Sequence, residues 1–298
     1  MIKLKMRIIS FAVLLLLSVA TGSAQSSNSC GLMVMAHGGA EQWNAAVENA
    51  VAPVRDKIST SIAFGMANPE TMKAAITELE EQNIDCIAVV RLFMSAHSFL
   101  HQTEYLLGLR EDPPPFFISH HGPQHHHEPP TPVEFQGKIA ISQTALLDAP
   151  EMGDILAMNA LALSDSSGSE SVLIIAHGAG DDAVNDEWLL KLDRLSDTVR
   201  ETGLFHSVVV HSLREDWKEK RSKSEMDIRQ FVEDHSEKNG RVIVLPFRLF
   251  GFGPYAEVLE GLSYESNGVG LLPNPNVSTW IERTASELFT ELTQDVDT

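Results

Sequence analysis

The run Leu32-Met33-Val34-Met35-Ala36-His37-Gly38 returns in the second half of the chain as Val172-Leu173-Ile174-Ile175-Ala176-His177-Gly178. Both copies are unbroken apolar stretches ended by His-Gly. A continuous apolar run has no polar face to offer water, so it reads as a strand buried on both sides. That is the habit of a parallel sheet covered by helices. A second match follows in the same order, Arg91-Leu92-Phe93 and then Arg248-Leu249-Phe250, each closing an apolar strand. Glu104, Leu106 and Gly108 are echoed by Glu257, Leu259 and Gly261. Matches in register, with one strand–helix rhythm, point to an internal duplication of roughly 130 residues per copy.

Within the first copy the pattern reads as strand 31–36, helix 41–56, strand 60–64, helix 69–83 and strand 86–92. A helix at 98–109, a polar loop, strand 138–142 and helix 151–164 complete it. Asn68-Pro69-Glu70 is a helix start, with Asn68 as cap, Pro69 at the first helical position and Glu70 favouring the dipole. The expected fold class is α/β, two tandem flavodoxin-like lobes, each a four-stranded mainly parallel sheet with helices on both faces. The lobes are expected over 30–164 and 171–298, joined by a polar linker at 165–170. The mixed-charge stretch Arg214 to Lys238 reads as a solvated helix, and the segment around Trp280-Ile281 as a closing helix that packs rather than reacts.

Lys3, Lys5 and Arg7 precede the apolar run Phe11 to Leu17, and Gly22, Ser23 and Ala24 follow. This is the layout of a secretory signal peptide over 1–24, cleaved after Ala24, with no later stretch long enough to span a bilayer. A periplasmic or secreted protein is expected. Its formal charge of −19 becomes about −22 (−19 − 3) once those basic residues leave. That field disfavours nucleic acid and anionic membrane surfaces as partners and favours cations. Cys30 and Cys86 each open a strand. If the strands are parallel neighbours the two meet at one end of the sheet. Side-chain direction is not legible, so a disulfide and two free thiols both stand.

The chemistry concentrates in histidines. His37 and His177 sit where an open parallel sheet binds its ligands, beyond the carboxyl ends of strands. The bland alternative is a ring satisfied by a carbonyl at a tight turn. His97 and His101, after the third strand, share a helix face if a helix begins there, and His37 approaches from the neighbouring strand. Such a metal set of His37, His97 and His101 suits Co²⁺, Fe²⁺, Ni²⁺ or Zn²⁺ better than Mg²⁺ or Ca²⁺. Glu104 is placed to orient an imidazole or accept protons, while His101 is equally a plain surface residue. The Pro-rich loop 113–132 adds His120, His121, His125, His126 and His127, a tract that captures ions loosely. No organic cofactor is implied, and oligomeric state is not legible.

These residues resemble the CbiX/SirB family, the small class II chelatases that insert cobalt or iron into sirohydrochlorin. The resemblance rests on Leu32 to Gly39, Ala63-Phe64-Gly65-Met66-Ala67-Asn68-Pro69-Glu70, and Ile87 through Phe93-Met94-Ser95-Ala96-His97. Ile139-Ala140-Ile141-Ser142 and Leu146 extend it. It covers nearly all of 31–164 and, more loosely, 171–292. It implies a metal chelatase (a lyase) in which His37 and His97 form the metal and catalytic pair, with His101 and Glu104 in support. The chain departs from the family at Arg91, where proline is usual. Arg91 reads either as a contact for a substrate carboxylate or as a solvated strand end. In the second copy Gly251-Phe252-Gly253-Pro254 replaces the His97 segment, so that lobe reads as degenerate, a wall or lid. Export is a further departure, and it favours a rival: a metal- or tetrapyrrole-binding carrier without turnover. A scaffold with no site at all is the third reading.

Overall fold

The computed structural model describes residues 29–115 and 129–294. The signal peptide and the five histidines of the Pro-rich loop lie outside the described residues. Strands β1 (Cys30–Ala36), β2 (Thr60–Phe64), β3 (Cys86–Leu92) and β4 (Lys138–Ile141) form a parallel sheet in the order β2-β1-β3-β4. Strands β5 (Glu170–Ala176), β6 (Ser207–Ser212) and β7 (Arg241–Phe247) form a second parallel sheet in the order β6-β5-β7. Helices α1 (Glu41–Arg55), α2 (Pro69–Glu81) and α3 (Leu100–Leu106) belong to the first half, which α4 (Pro150–Leu163) ends. The second half contributes α5 (Asp182–Arg200), α6 (Lys218–Asn239), α7 (Tyr255–Val258) and α8 (Pro275–Gln294). Asn68 caps α2 as its position suggests, its side chain accepting from the N–H groups of Glu70 and Thr71.

The two-residue period of the strands divides the apolar side chains between faces. Leu32 and Val34 of β1 and Val172 and Ile174 of β5 point into one core shared by both halves. Met33 and Met35 face α2, where Met72 and Leu79 cover them, and Leu173 and Ile175 join Ile228 and Val232 of α6.

The second sheet corrects the expectation of four strands per lobe. Its fourth strand is reduced to an isolated parallel bridge, Ile243 to Glu265. The Val244 N–H donates outward to the Glu265 carbonyl at 2.8 Å. Two residues on, the same side of β7 presents Pro246, which has no N–H to continue the ladder. By register against the central strands, Met35 to Arg91 and Ile175 to Pro246, Pro246 stands where the first half has Arg91, so the two sequence-matched arginines lie two residues apart in the sheets.

The lobes also do not close where the chain pattern divides them. Helix α4 packs on α5 and β7 of the other half, and α8 crosses back onto α1, β3 and β4. Gly153 permits the first contact: a Cβ there would lie 2.8 Å from the Leu195 carbonyl of α5. The second is held by Trp280, Ile281 and Leu288 in the shared core and by Ser278, whose hydroxyl donates to the Ala50 carbonyl at 2.6 Å. Glu170, assigned to the linker, is instead the buried first residue of β5 and pairs with Arg241 at 2.8 Å. Arg214 lies ahead of α6 and donates to the Ala179 and Gly180 carbonyls, so only the stretch from Lys218 is helix.

Cys30 and Cys86 are register partners on neighbouring strands and form a disulfide, with Cα atoms 4.5 Å apart. The bond ties β1 to β3 at the end opposite His37. It closes a sequence separation of 56 residues, for which restriction of the unfolded chain is worth about 2–4 kcal/mol. The double change Cys30→Ser, Cys86→Ser is expected to lower the unfolding free energy by that amount in urea titrations. Coincident curves for the wild type with and without reductant would show that the bond contributes nothing.

Candidate active site

β1 carries His37 to the carboxyl end of the first sheet, and the chain turns at once through Gly38. Gly38 has φ +77° and sits against Phe64, where a Cβ would be 3.3 Å from the Phe64 Cβ; the left-handed backbone and the tight fit favour glycine. The His37 Nδ1 is 2.8 Å from the Gly38 carbonyl. A carbonyl only accepts, so Nδ1 holds the proton and Nε2 of the neutral ring keeps its lone pair. The Asn44 side chain accepts from the Gly39 N–H at 2.9 Å and anchors the turn to α1. The second half repeats the device. His177 Nδ1 is 2.9 Å from the Gly178 carbonyl, and Asn185 of α5 accepts from the Ala179 N–H at 3.2 Å.

His97 is delivered by the loop between β3 and α3. That loop is pinned by backbone bonds from Leu146 to the Phe93 carbonyl and from Leu147 to the Met94 carbonyl, at 3.1 and 3.0 Å. Beneath it lies Arg91, fully buried. Its guanidinium donates to the Ser142 carbonyl at 3.0 and 2.8 Å, to Ala96 at 2.9 Å and to Ser98 at 2.9 Å. Arg91 is therefore neither a substrate contact nor a solvated strand end. It grips the residues on either side of His97. Burial pushes its pKa down to about 10, against the opposing charges of Glu104 and Asp148. The guanidinium stays protonated at neutral pH.

His37 and His97 line one cleft of about 740 Å³ between the halves, and His177 lines it from the other side. The volume falls in the range of small-molecule sites, roughly 300–1,000 Å³. Trp43, Trp188 and Trp217 also line it. Trp43 meets His37 edge-on at 6.4 Å between centroids, and Trp217 meets His177 edge-on at 6.1 Å. His97 Nε2 is 3.3 Å from a carboxylate oxygen of Glu187, on α5 of the opposite half. A bond to Lys191 holds Glu187 below the usual carboxylate range, and Lys191 in turn pairs with Asp148 at 2.8 Å. His177 Nε2 lies 3.2 Å from Asp216 and 3.9 Å from Glu215.

The three-imidazole set of His37, His97 and His101 is not assembled. Phe99 takes a left-handed conformation, φ 55°, and α3 starts only at Leu100. His97 thus lies outside the helix and shares no face with His101. His101 pairs instead with Glu104 at 3.0 Å, and neither residue lines the cleft. The charge of Glu104 acts on Arg91. Among the described residues no group of three or more His, Cys, Asp or Glu side chains is arranged to hold a metal ion. Glu187, Glu215 and Asp216 went unread in the sequence. The one signal for Glu215 and Asp216 was their place just beyond an apolar strand, β6, at the same sheet end as His177.

Two parallel sheets, each followed by a histidine that lines one cleft, make up this α/β fold, and solved structures share the fold. SirB from Bacillus subtilis with Fe3+ superposes with a TM-score of 0.60 at 12% identity, over 89% of this chain and 98% of that one. The sirohydrochlorin chelatase SirB from Bacillus subtilis subspecies spizizenii in complex with cobalt gives 0.56 at 10% identity, over 90% and 97%. A multi-domain protein from Deinococcus radiodurans, described as structurally similar to chelatases with two additional novel domains, gives 0.54 at 17% identity. The alignment takes in 87% of this chain and 55% of that longer protein. The chain therefore has a chelatase-like fold. No protein-family model and no curated protein matches its sequence. Among the described residues no helix is long and apolar enough to cross a membrane.

Proposed function

We propose that the protein is a metal chelatase that inserts a divalent ion, Co²⁺ or Fe²⁺, into a tetrapyrrole held in the cleft. The observation that carries this reading is the meeting of His37 and His97, from the ends of neighbouring strands, in one aromatic-lined cleft closed by the other half. Insertion requires two pyrrole N–H protons to leave while the ion sheds its own ligands. The Nε2 lone pair of His37 holds the ion exchangeably and, once the ion has passed to the macrocycle nitrogens, is free to take one of the two pyrrole protons. His97 takes the other pyrrole proton at Nδ1, and the ionised Glu187, accepting from its Nε2–H, stabilises the imidazolium that forms. The acidic side chains around His177 draw the cation in.

The two halves descend, in this reading, from one duplicated unit; the repeated His-Gly turn with its helix-borne asparagine supports it. The protein is also proposed to be exported, in accord with the basic-then-apolar start of the chain and a disulfide, which persists in oxidising compartments. The direct test is an anaerobic absorbance assay with Co²⁺, Fe²⁺ and Ni²⁺, each offered with sirohydrochlorin and with mesoporphyrin. A metallated product forming faster than without protein is expected for at least one pair. Tight macrocycle binding with no acceleration for any pair would sink the enzyme and leave the carrier.

A further inference from the structure

Resting on the reading that a tetrapyrrole occupies the cleft, we infer that its substrate is a planar macrocycle with a largely apolar rim and few carboxylates. A macrocycle carboxylated all round its rim, as sirohydrochlorin is, does not fit the charges present. Binding such a polyanion takes lysines, arginines or unclaimed N–H groups aimed at the rim. Among the described residues lining the cleft, Arg248 is the one lysine or arginine, and the same lining includes three carboxylates, Asp181, Glu215 and Asp216.

Arg248 is engaged at its terminal nitrogen Nη1, and its Nε, which has no hydrogen-bond partner, is sealed from solvent. It pairs with Glu215, and its guanidinium lies 5.6 Å from the centre of the Tyr255 ring. The cations just outside the cleft are also committed. Arg214 and Lys220 reach Asp182 at 2.6 and 2.7 Å and both donate to the Gly180 carbonyl. Lys191 is shared between Asp148 and Glu187, at 2.8 Å each. Nor do helix ends help. Asp181 caps α5 by accepting from the Val184 N–H at 3.0 Å, and α1 carries Glu41 in its first turn. The chain as a whole stands at −19. What the cleft does offer is aromatic surface, which binds a planar ring system by stacking and burial.

The test measures binding without metal, on the full chain in the presence of a chelator. Trp43, Trp188 and Trp217 line the cleft, so a seated macrocycle quenches their emission, while Trp280 in the core supplies a constant background. Mesoporphyrin and sirohydrochlorin are each titrated at about 20 mM and about 200 mM salt, where screening differs strongly. Mesoporphyrin is expected to bind at least ~10-fold tighter at the lower salt. Sirohydrochlorin affinity should rise with salt as like-charge repulsion is screened. Asp216→Lys, at a site 71% exposed, should raise sirohydrochlorin affinity about tenfold at low salt.

Tighter binding of sirohydrochlorin at low salt, or an affinity for it that falls as salt rises, overturns the inference. So does quenching by neither macrocycle. The proposed catalysis fails separately. Preferential binding of mesoporphyrin with no metallated product removes the enzyme and leaves the charge preference standing. Rapid metallation of tightly bound sirohydrochlorin does the reverse.

Discussion

Metal insertion by a protein carrying His37→Ala and His97→Ala together is expected to fall by about 10²–10⁴-fold, the usual contribution of a positioned proton acceptor. The fold should survive. His37 is exposed at the strand end, and His97 has a side chain 61% exposed whose one bond is to a half-exposed carboxylate. Neither ring fills the core, so thermal unfolding should match the wild type within the range of surface changes, about 0.5 kcal/mol. Single variants separate the roles. His37→Ala loses a nitrogen whose lone pair is directed by its own turn, and His97→Ala loses the proton acceptor that Glu187 orients. Initial rates of metallation, with circular dichroism as the folding control, give the answer. Wild-type turnover in the folded double variant would remove these imidazoles from the mechanism.

The second large effect is expected at Arg91, far less exposed and yet tied to the same loop. Arg91→Met removes the donors that satisfy the Ser142, Ala96 and Ser98 carbonyls. Buried polar groups left without partners cost about 1–3 kcal/mol each, so for three carbonyls a loss of at least about 3 kcal/mol in unfolding free energy is expected. The conservative Arg91→Lys should fold better but still misplace the loop, since one ammonium cannot reproduce a planar fork gripping separate carbonyls. Its signature is a metallation rate that falls while macrocycle binding holds, because His97 moves and the aromatic walls do not. A lysine variant with wild-type stability and rate would show that the clamp is dispensable.

Arg91 and Arg248 also show why the site was only half legible. The two arginines sit in the same tripeptide, yet register sets them two residues apart: Arg91 pairs with Met35 inside β3, and Arg248 follows the last residue of β7. One is sealed under a loop by carbonyls, and the other lines the cleft beside Glu215. The register of β3 on β1 and of β7 on β5 makes the difference, and segments distant in the chain, Ser142 and Glu215, supply the partners. His101 is a similar case. Its spacing from His97 suggests a shared helix face, but the left-handed residue Phe99 delays the helix and sends His101 to Glu104. The rhythm of strands and helices, by contrast, came through almost to the residue in the first half. The expected fourth strand of the second sheet is reduced to the single bridge of Ile243 with Glu265, and no local signal in the sequence announces that.

Apolar runs and amphipathic stripes are local properties, and from them alone follow the parallel sheets, the His-Gly strand ends and the neighbourhood of Cys30 and Cys86. An amphipathic stripe says that a helix must cover apolar surface, not which surface. Tertiary packing alone therefore settled that α4 and α8 exchange sheets, that the halves share one core, and that Glu187 and Asp216 stand opposite the histidines. Those outcomes depend on burying the most apolar area among elements far apart in the chain, a global minimum that no window of sequence contains.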